Sequence, residues 1–513
     1  MRKYLRNITV GAALLLLAGS CTDKFEEYNT NQYQIHDADP ATLMKSMIET
    51  IVNIQQNDSQ MQDQMVGQLG GYLCCSNTWS GTNFSTFNQS DAWNATPWNT
   101  PFEKIYGNFF QIQEATNSTG HYYAFACMIR AITMLRVADC YGPMPYSQVK
   151  KGNFYVSYDT QEQVYTSILS DLANAADVLY NYYVETNGNA PLGANDPVFD
   201  GNYSGWAKLA NSMRLRVAMR ISGTWPGIAQ EAAETHKAGL IESNSDNAML
   251  SCGTQSNPYQ LAAVSWGDLR VNANIVDYMN AYGDPRMPKF FNKSTLAGKT
   301  DKYVGMRTGD ADFKKADAAG FSIPAYTATS KLMVFCAAET AFLRAEGKLR
   351  GWNVGSKTAK AYYEDGINLS MEQYQVSATE YLKIDEAPVV SHESDAVQNA
   401  TATITNTVSV MWDDSEADNV NGKNFQRVIT QKWIANYPLG LEAWAEYRRT
   451  GYPELYPCID NLSDCGVSSQ RGMRRLSFPY TEAQNNKANY DLGVAELGGA
   501  DNEATDLKWA KKN

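Results

Sequence analysis

Between Thr160 and Leu179 the chain reads TQEQVYTSILSDLANAADVL, and Val164, Ile168, Leu172 and Ala176 recur every fourth residue with Leu169 beside them. That spacing lays one apolar stripe along a helix, and Thr160 followed by Gln163 supplies a capping-box start. The same character returns over Ala124–Cys140, which ends at Gly142, Pro143 and Pro145, and over Trp206–Ile221, which ends at Gly223 and Pro226. Wherever a period can be read it is helical. The chain is therefore predicted to be mostly α, with few short strands.

Two further helices, Ala337–Gly351 and Lys357–Gln373, form the most telling pair. Gly347, Ala359, Tyr363 and Gly366 fall at the small, small, large and small positions of a tetratricopeptide hairpin, where close helix crossing demands small residues. No clean 34-residue self-similarity runs through the chain, so any such repeats are degenerate and separated by long insertions. Three insertions stand out: residues 72–106, 257–329 and 386–428, the last polar and expected to hold little regular structure. Long loops on a rigid scaffold are where binding surfaces concentrate.

At the N-terminus, Arg2, Lys3 and Arg6 precede an apolar run, Val10–Ala18, far short of the roughly 20 residues that span a bilayer. It reads as a signal peptide. Its end, Leu17-Ala18-Gly19-Ser20-Cys21, resembles the lipobox of bacterial lipoproteins, which implies cleavage before Cys21 and diacylglycerol on its sulfur. The chain then divides into a signal segment 1–20, a lipid-anchored tether 21–38 and one domain 39–513. A formal charge of -12 argues against a nucleic-acid partner. Of nine cysteines, Cys127, Cys140 and Cys336 lie in apolar helical patterns, while Cys458 and Cys465 close a short loop that would tolerate a disulfide.

Two C-terminal stretches carry a family signature: ITQKWIANYPLGLEAWAEYRRTGYPELYP at Ile429–Pro457 and RRLSFPYTEAQNNKANY at Arg474–Tyr490. Together with LRAEGKLRG, YYEDGINLSM, YGDPRMPKFF and DCYGPMPYS upstream, they resemble the SusD/RagB family of Bacteroidetes surface lipoproteins. CTDKFEEYNTN is similar to mature starts in that family, and its DKFEE resembles surface-export signals. The resemblance implies a SusD-like α-helical superhelix of degenerate tetratricopeptide-repeat hairpins with long irregular loop insertions. It further implies a protein anchored by lipid at the outer-membrane surface that binds an oligosaccharide or polysaccharide. The implied partner is a SusC-type TonB-dependent barrel, over which the lipoprotein acts as a hinged lid; the hinge is placed within Thr22–Ala38. No reaction and no cofactor are implied. The residues of EAWAEYRRTGYP themselves read as architecture: Arg448 and Arg449 stand near a helix C-terminus, where the dipole favours cations. Asp284-Pro285-Arg286 reads as a turn buttressed by an Arg pair.

Sugar rings offer flat C–H faces to aromatics and hydroxyls to polar side chains. The first insertion supplies that mixture in Trp79, Asn83, Phe87, Trp93 and Trp98, and the second in Trp266, Asp268, Arg270, Tyr303, Arg307 and Tyr326. These are the candidate ligand-binding residues. If Trp79, Trp93, Trp98 and Trp266 all proved buried, a scaffold for a transporter complex would be favoured instead. Peptide cargo in the same role and a surface-anchored glycoside hydrolase are the other readings; the carboxylate pair of a hydrolase is a spatial feature that leaves no spacing to read.

Other chemistry finds little support. Four histidines, none within four residues of another, cannot form HExxH. LAGKT at Leu296–Thr300 has Lys293 where a P-loop needs its first glycine, and no GxSxG elbow is present. Asp310 with Asp312, and Asp413, Asp414, Glu416 and Asp418, carry oxygens of the kind calcium takes, but neither group follows EF-hand spacing. Structural calcium is thus not indicated, and no metal site is assigned.

Overall fold

The computed structural model describes residues 39–153, 155–234 and 236–511. Cys21, the signal segment, the tether and its hinge lie outside the described residues. Twelve α-helices of nine residues or more occur among the described residues. They are α1 (Pro40–Ile48), α2 (Asp91–Ala115), α3 (Gly120–Tyr141), α4 (Gln161–Glu185), α5 (Tyr203–Ile221) and α6 (Pro226–Glu234). There follow α7 (Ala273–Ala281), α8 (Ala337–Leu349), α9 (Ala359–Gln373), α10 (Lys423–Ala435), α11 (Gly440–Thr450) and α12 (Lys487–Leu497). Short strands make three antiparallel pairs: β1 (Leu73–Cys75) with β3 (Leu269–Val271), β2 (Ala248–Leu250) with β4 (Leu332–Phe335), and β5 (Val390–His392) with β6 (Ala402–Ile404). The expectation of a mostly α chain with few short strands is met. No helix among the described residues is long and apolar enough to cross a membrane.

Helix α4 begins as its sequence predicts. Thr160 Oγ1 accepts from the Gln163 N–H at 3.2 Å, and Gln163 Oε1 accepts from the Thr160 N–H at 2.9 Å. Val164, Ile168, Leu172 and Ala176 are all buried, so the stripe faces the core. Sequence neighbours pack on one another as successive hairpins: α2 on α3, α3 on α4, α4 on α5, α5 on α6, and α8 on α9. In the last pair Gly366 lets the helices approach, because a Cβ there would stand 2.7 Å from Cζ of Phe342. One apolar core runs from α1 to Trp509, and a small satellite of Cys74, Leu296, Val304, Met306, Ala318 and Phe321 lies beneath the second insertion.

A buried ion network ties five helices together. Arg216 of α5 forks onto both oxygens of Glu339 in α8 at 2.6 and 2.7 Å. Arg220 of α5 donates to Glu442 of α11 at 2.7 Å and also to Asp139 of α3. Arg449 bridges Glu346 of α8 and Glu446 of its own helix at 2.7–2.8 Å, and Glu446 also takes Lys432 of α10. Burial pushes the Glu446 carboxyl up, but Arg449 and Lys432 outweigh it and hold the group well below the usual carboxylate value. Such a web is costly to desolvate and costlier to break, since a lost partner strands a buried charge. Arg448, beside it, stacks 3.5 Å from the Trp444 ring centroid, and Gly451 closes α11 in the left-handed region at φ 81°. The signature helix is therefore a structural keystone. Asp284 and Arg286, both fully buried, pair at 2.9 and 2.5 Å as the turn required.

The insertions hold more structure than their sequence shows. The second half of the first insertion is helix α2, capped by Ser90, whose side chain accepts from Trp93 N–H at 3.3 Å. It runs on through Pro97 and Pro101, each of which removes one backbone donor; both rings are buried, and tertiary packing compensates. The third insertion contains the β5–β6 pair and the first turns of α10. Eight cysteines among the described residues are thiols. Cys458 is no exception: its Sγ meets the carbonyls of Ser85 and Asp460 at 3.2 and 3.4 Å.

Candidate functional site

The β1–β3 pair is the joint between the first and second insertions. Its register sets Leu73 opposite Val271, Cys74 opposite Arg270 and Cys75 opposite Leu269. At the open end, Ser76 N–H donates to Asp268 O at 2.8 Å and Ser76 Oγ to Gly267 O at 2.7 Å. The turn carrying Trp79 is thereby fastened beside the segment Trp266-Gly267-Asp268. Gly267, at φ 71°, ends the helical turn Leu261–Trp266 and turns the chain into β3.

The Trp79 turn is unusual in its backbone. Trp79, Ser80 and Gly81 are successively left-handed, with φ of 47°, 61° and 91°, a costly run for residues with side chains. Asparagines hold it in place. Asn77 Oδ1 accepts from Trp79 N–H at 3.0 Å, Asn88 Nδ2 donates to Gly81 O at 2.7 Å, and Asn83 Nδ2 donates to Asn77 O at 3.0 Å. Trp79 rests edge-on against Trp93 with ring centroids 5.3 Å apart, and its Nε1–H points to Cys75 Sγ at 3.1 Å. Trp79, Trp93 and Trp266 are each half-buried, packed on the core along one side only. Val264, two residues before Trp266, is 57 % exposed.

The remaining sequence candidates have other surroundings. Trp98 is buried in an aromatic cluster with Phe102, Tyr141, Tyr158 and Phe478, and Phe87 is buried too. Asn83 is buried and occupied within the turn: besides its bond to Asn77, its Oδ1 accepts from Ser85 N–H at 3.1 Å. Arg270 donates to the carbonyls of Ala318 and Leu269 at 2.7 Å, and Arg307 to that of Pro457 at 2.9 Å while covering the Tyr456 ring. Burial lowers both guanidiniums below the usual arginine value. Tyr303 packs edge-on against Phe291. Tyr326 lines a separate cleft that shares no residue with the tryptophan turn.

Asp268 sits between scaffold and face. It is buried and accepts from Asn77 at 3.2 Å, from Gln60 at 3.1 Å and from Lys315, whose chain is partly exposed. Gln60 and Lys315 were not among the sequence candidates: Gln60 precedes the first insertion, and no local pattern sets Lys315 apart within the second. Among the described residues no three His, Cys, Asp or Glu side chains gather as a metal site would require.

This joint sits on a scaffold shared with known proteins. A model of the SusD-like family, described as SusD and RagB outer membrane lipoprotein, matches residues 22–510. The chain belongs to this family. Among solved structures, a SusD-like protein from Bacteroides thetaiotaomicron is similar at a TM-score of 0.87 and 35% identity, covering 93% of this chain and 99% of that one. A SusD homolog from Bacteroides uniformis gives 0.86 and 36%, over 93% and 100% of the two chains. A chitin-binding SusD homolog from Flavobacterium johnsoniae gives 0.83 and 32%, over 92% and 99%. A comparison with curated proteins finds no match. The family description places SusD-like proteins at the outer membrane as lipoproteins.

Proposed function

We propose that this SusD-like protein captures a glycan at the cell surface, on the face formed by Trp79, Trp93 and Trp266, and delivers it to a SusC-type TonB-dependent transporter. The observation that carries the reading is that the three tryptophans, drawn from both insertions, are half-buried at one end of the β1–β3 pair. An indole fixed on one side and open on the other presents the flat apolar surface that a sugar ring's C–H face covers. The rigid turn lowers the entropy lost on binding, since the ring is already held in place. Lys315 and Gln60, beside Asp268, supply donors for sugar hydroxyls at the rim. The chitin-binding relative from Flavobacterium johnsoniae supports a glycan as cargo.

In this reading Cys21 bears the lipid and the tether 21–38 lets the protein swing as a lid over the barrel. Binding is reversible and accompanies no bond breakage, because the cargo must be handed on intact. A glycan array that includes chitin oligosaccharides, with a peptide set beside it, tests the cargo class. Binding of a glycan, lost at the tryptophan face in the Trp79→Ala/Trp266→Ala variant and with no shortened product, is the expected result. Cleavage of the glycan, or binding of peptides alone, overturns the reading. For the lid, shortening the tether is expected to impair uptake while leaving affinity of the isolated protein unchanged.

A further inference from the structure

A second concavity, of about 750 Å³, shares no lining residue with the tryptophan turn. It lies between the C-terminal end of α9, the β2–β4 pair and the segments around Phe290 and Tyr326. Its size falls within the ~300–1,000 Å³ of small-molecule sites. Its walls are mixed. Phe199, Phe290, Met249 and Met333 are apolar, whereas Asn202, Asn244, Asn247, Ser245 and Gln373 are uncharged hydrogen-bonding groups.

Four charged side chains line it, Lys289 and Lys331 against Asp200 and Glu372, so the formal charge of the lining cancels. A net-neutral, polar and aromatic lining suits an uncharged ligand rich in hydroxyls.

A buried residue of the wall gives a second and independent indication. Tyr437 is only 2 % exposed, and its ring stacks on Phe290 with centroids 4.9 Å apart and planes 17° apart. Its hydroxyl is buried and has no hydrogen-bond partner. Buried hydroxyls are nearly always paired, and an orphan is costly. Tyr326 and Tyr374 line the same cleft. Burial, and after it the Tyr374 phenol, keeps Tyr437 protonated well above the usual tyrosine value, so it stays an O–H donor.

We infer that this cleft is a second carbohydrate site, which takes a short neutral oligosaccharide by stacking it on Tyr326 and Tyr374 and pairing one of its hydroxyls with Tyr437. The site does not depend on the tryptophan face, with which it shares no lining residue. A chain with two such sites holds a polysaccharide at two points, and the second contact is made at high effective concentration once the first is formed.

The test is to soak crystals of the protein separately with short chito-, malto-, manno- and fructo-oligosaccharides and with neutral tripeptides, scoring each site independently. Density for at least one sugar within hydrogen-bond distance of the Tyr437 hydroxyl is expected. A cleft left empty by every sugar, or filled only by tripeptides, overturns the inference even where the tryptophan face is occupied. A filled cleft beside an empty tryptophan face would instead contradict the function proposed above.

In solution, calorimetry uses the sugar that gave density and the Trp79→Ala/Trp266→Ala background, which isolates the cleft. Tyr437→Phe, which removes only the hydroxyl, is expected to weaken binding about five- to tenfold, and Tyr326→Ala to weaken it further, each with an unchanged far-ultraviolet spectrum. Unchanged affinity in both variants overturns the inference.

Discussion

Helix α11 and the Trp79 turn each set one tryptophan among polar groups, yet they sit in opposite environments. In α11, Trp444 is 1 % exposed, Arg448 covers its ring, and Glu446 and Arg449 are enclosed in the ion network. In the turn, Trp79 is pinned by asparagines and one neighbouring ring but left open on its other side. The helix carries the strongest family signature, and the turn carries none. The scaffold is what the signature records, since the buried ion network ties four other helices to α11 and each partner there is fixed by charge and shape. The binding face is set by which indoles the scaffold leaves half uncovered.

The contrast can be broken at its strongest point first. Glu446→Ala strands Lys432 in the core and leaves Arg449 with Glu346 alone, and is expected to cost about 3–5 kcal/mol in urea unfolding while leaving the glycan affinity of the folded protein unchanged. Gly366→Leu forces a side chain into Phe342 and is expected to cost about 1–3 kcal/mol or more, again without a change in affinity. Trp79→Ala or Trp266→Ala should show the reverse: glycan affinity falls about tenfold or more, read by calorimetry, with little change in melting temperature.

A smaller effect lies at the rim of the scaffold. Burial raises the Asp506 carboxyl, but hydrogen bonds and charge from Arg474 and Arg471 outweigh it, so its value lies below the ordinary 3.8. Because the folded value is the lower one, Asp506 stabilises the protein fully above about 3.8 and loses that contribution as pH falls through the folded value. Asp506→Asn is expected to cost about 1 kcal/mol or less at neutral pH, with the difference from wild type vanishing in acid.

Legibility in the sequence followed locality. The α4 stripe and capping box, the Gly366 contact and the Asp284–Arg286 turn all depend on residues close in sequence or on a fixed helical offset, and each stands as read. The difference between Trp93 and Trp98 was not legible, although the two lie in one helix five positions apart. Trp98 is enclosed by Tyr158 and Phe478, which arrive from distant parts of the chain. Likewise Asp268 and Arg270 look like ligand groups in SWGDLR, but β3 turns Arg270 into backbone carbonyls and Asp268 toward Asn77 and Lys315. Asn83 reads in sequence as a partner for sugar hydroxyls, but a left-handed turn has orphaned backbone groups of its own, and Asn77, Asn83 and Asn88 satisfy them. The pairing of β1 with β3, which brings the two insertions together, has no local signal at all.

The most direct test of the account is calorimetry of the Trp79→Ala/Trp93→Ala/Trp266→Ala variant against the glycan that binds wild type, with thermal unfolding measured alongside and Trp98→Ala as the contrasting case. The triple variant is expected to melt near wild type and to lose binding at the tryptophan face, while Trp98→Ala is destabilised by about 3–5 kcal/mol yet binds when folded. A triple variant that retains wild-type affinity at that face would contradict it.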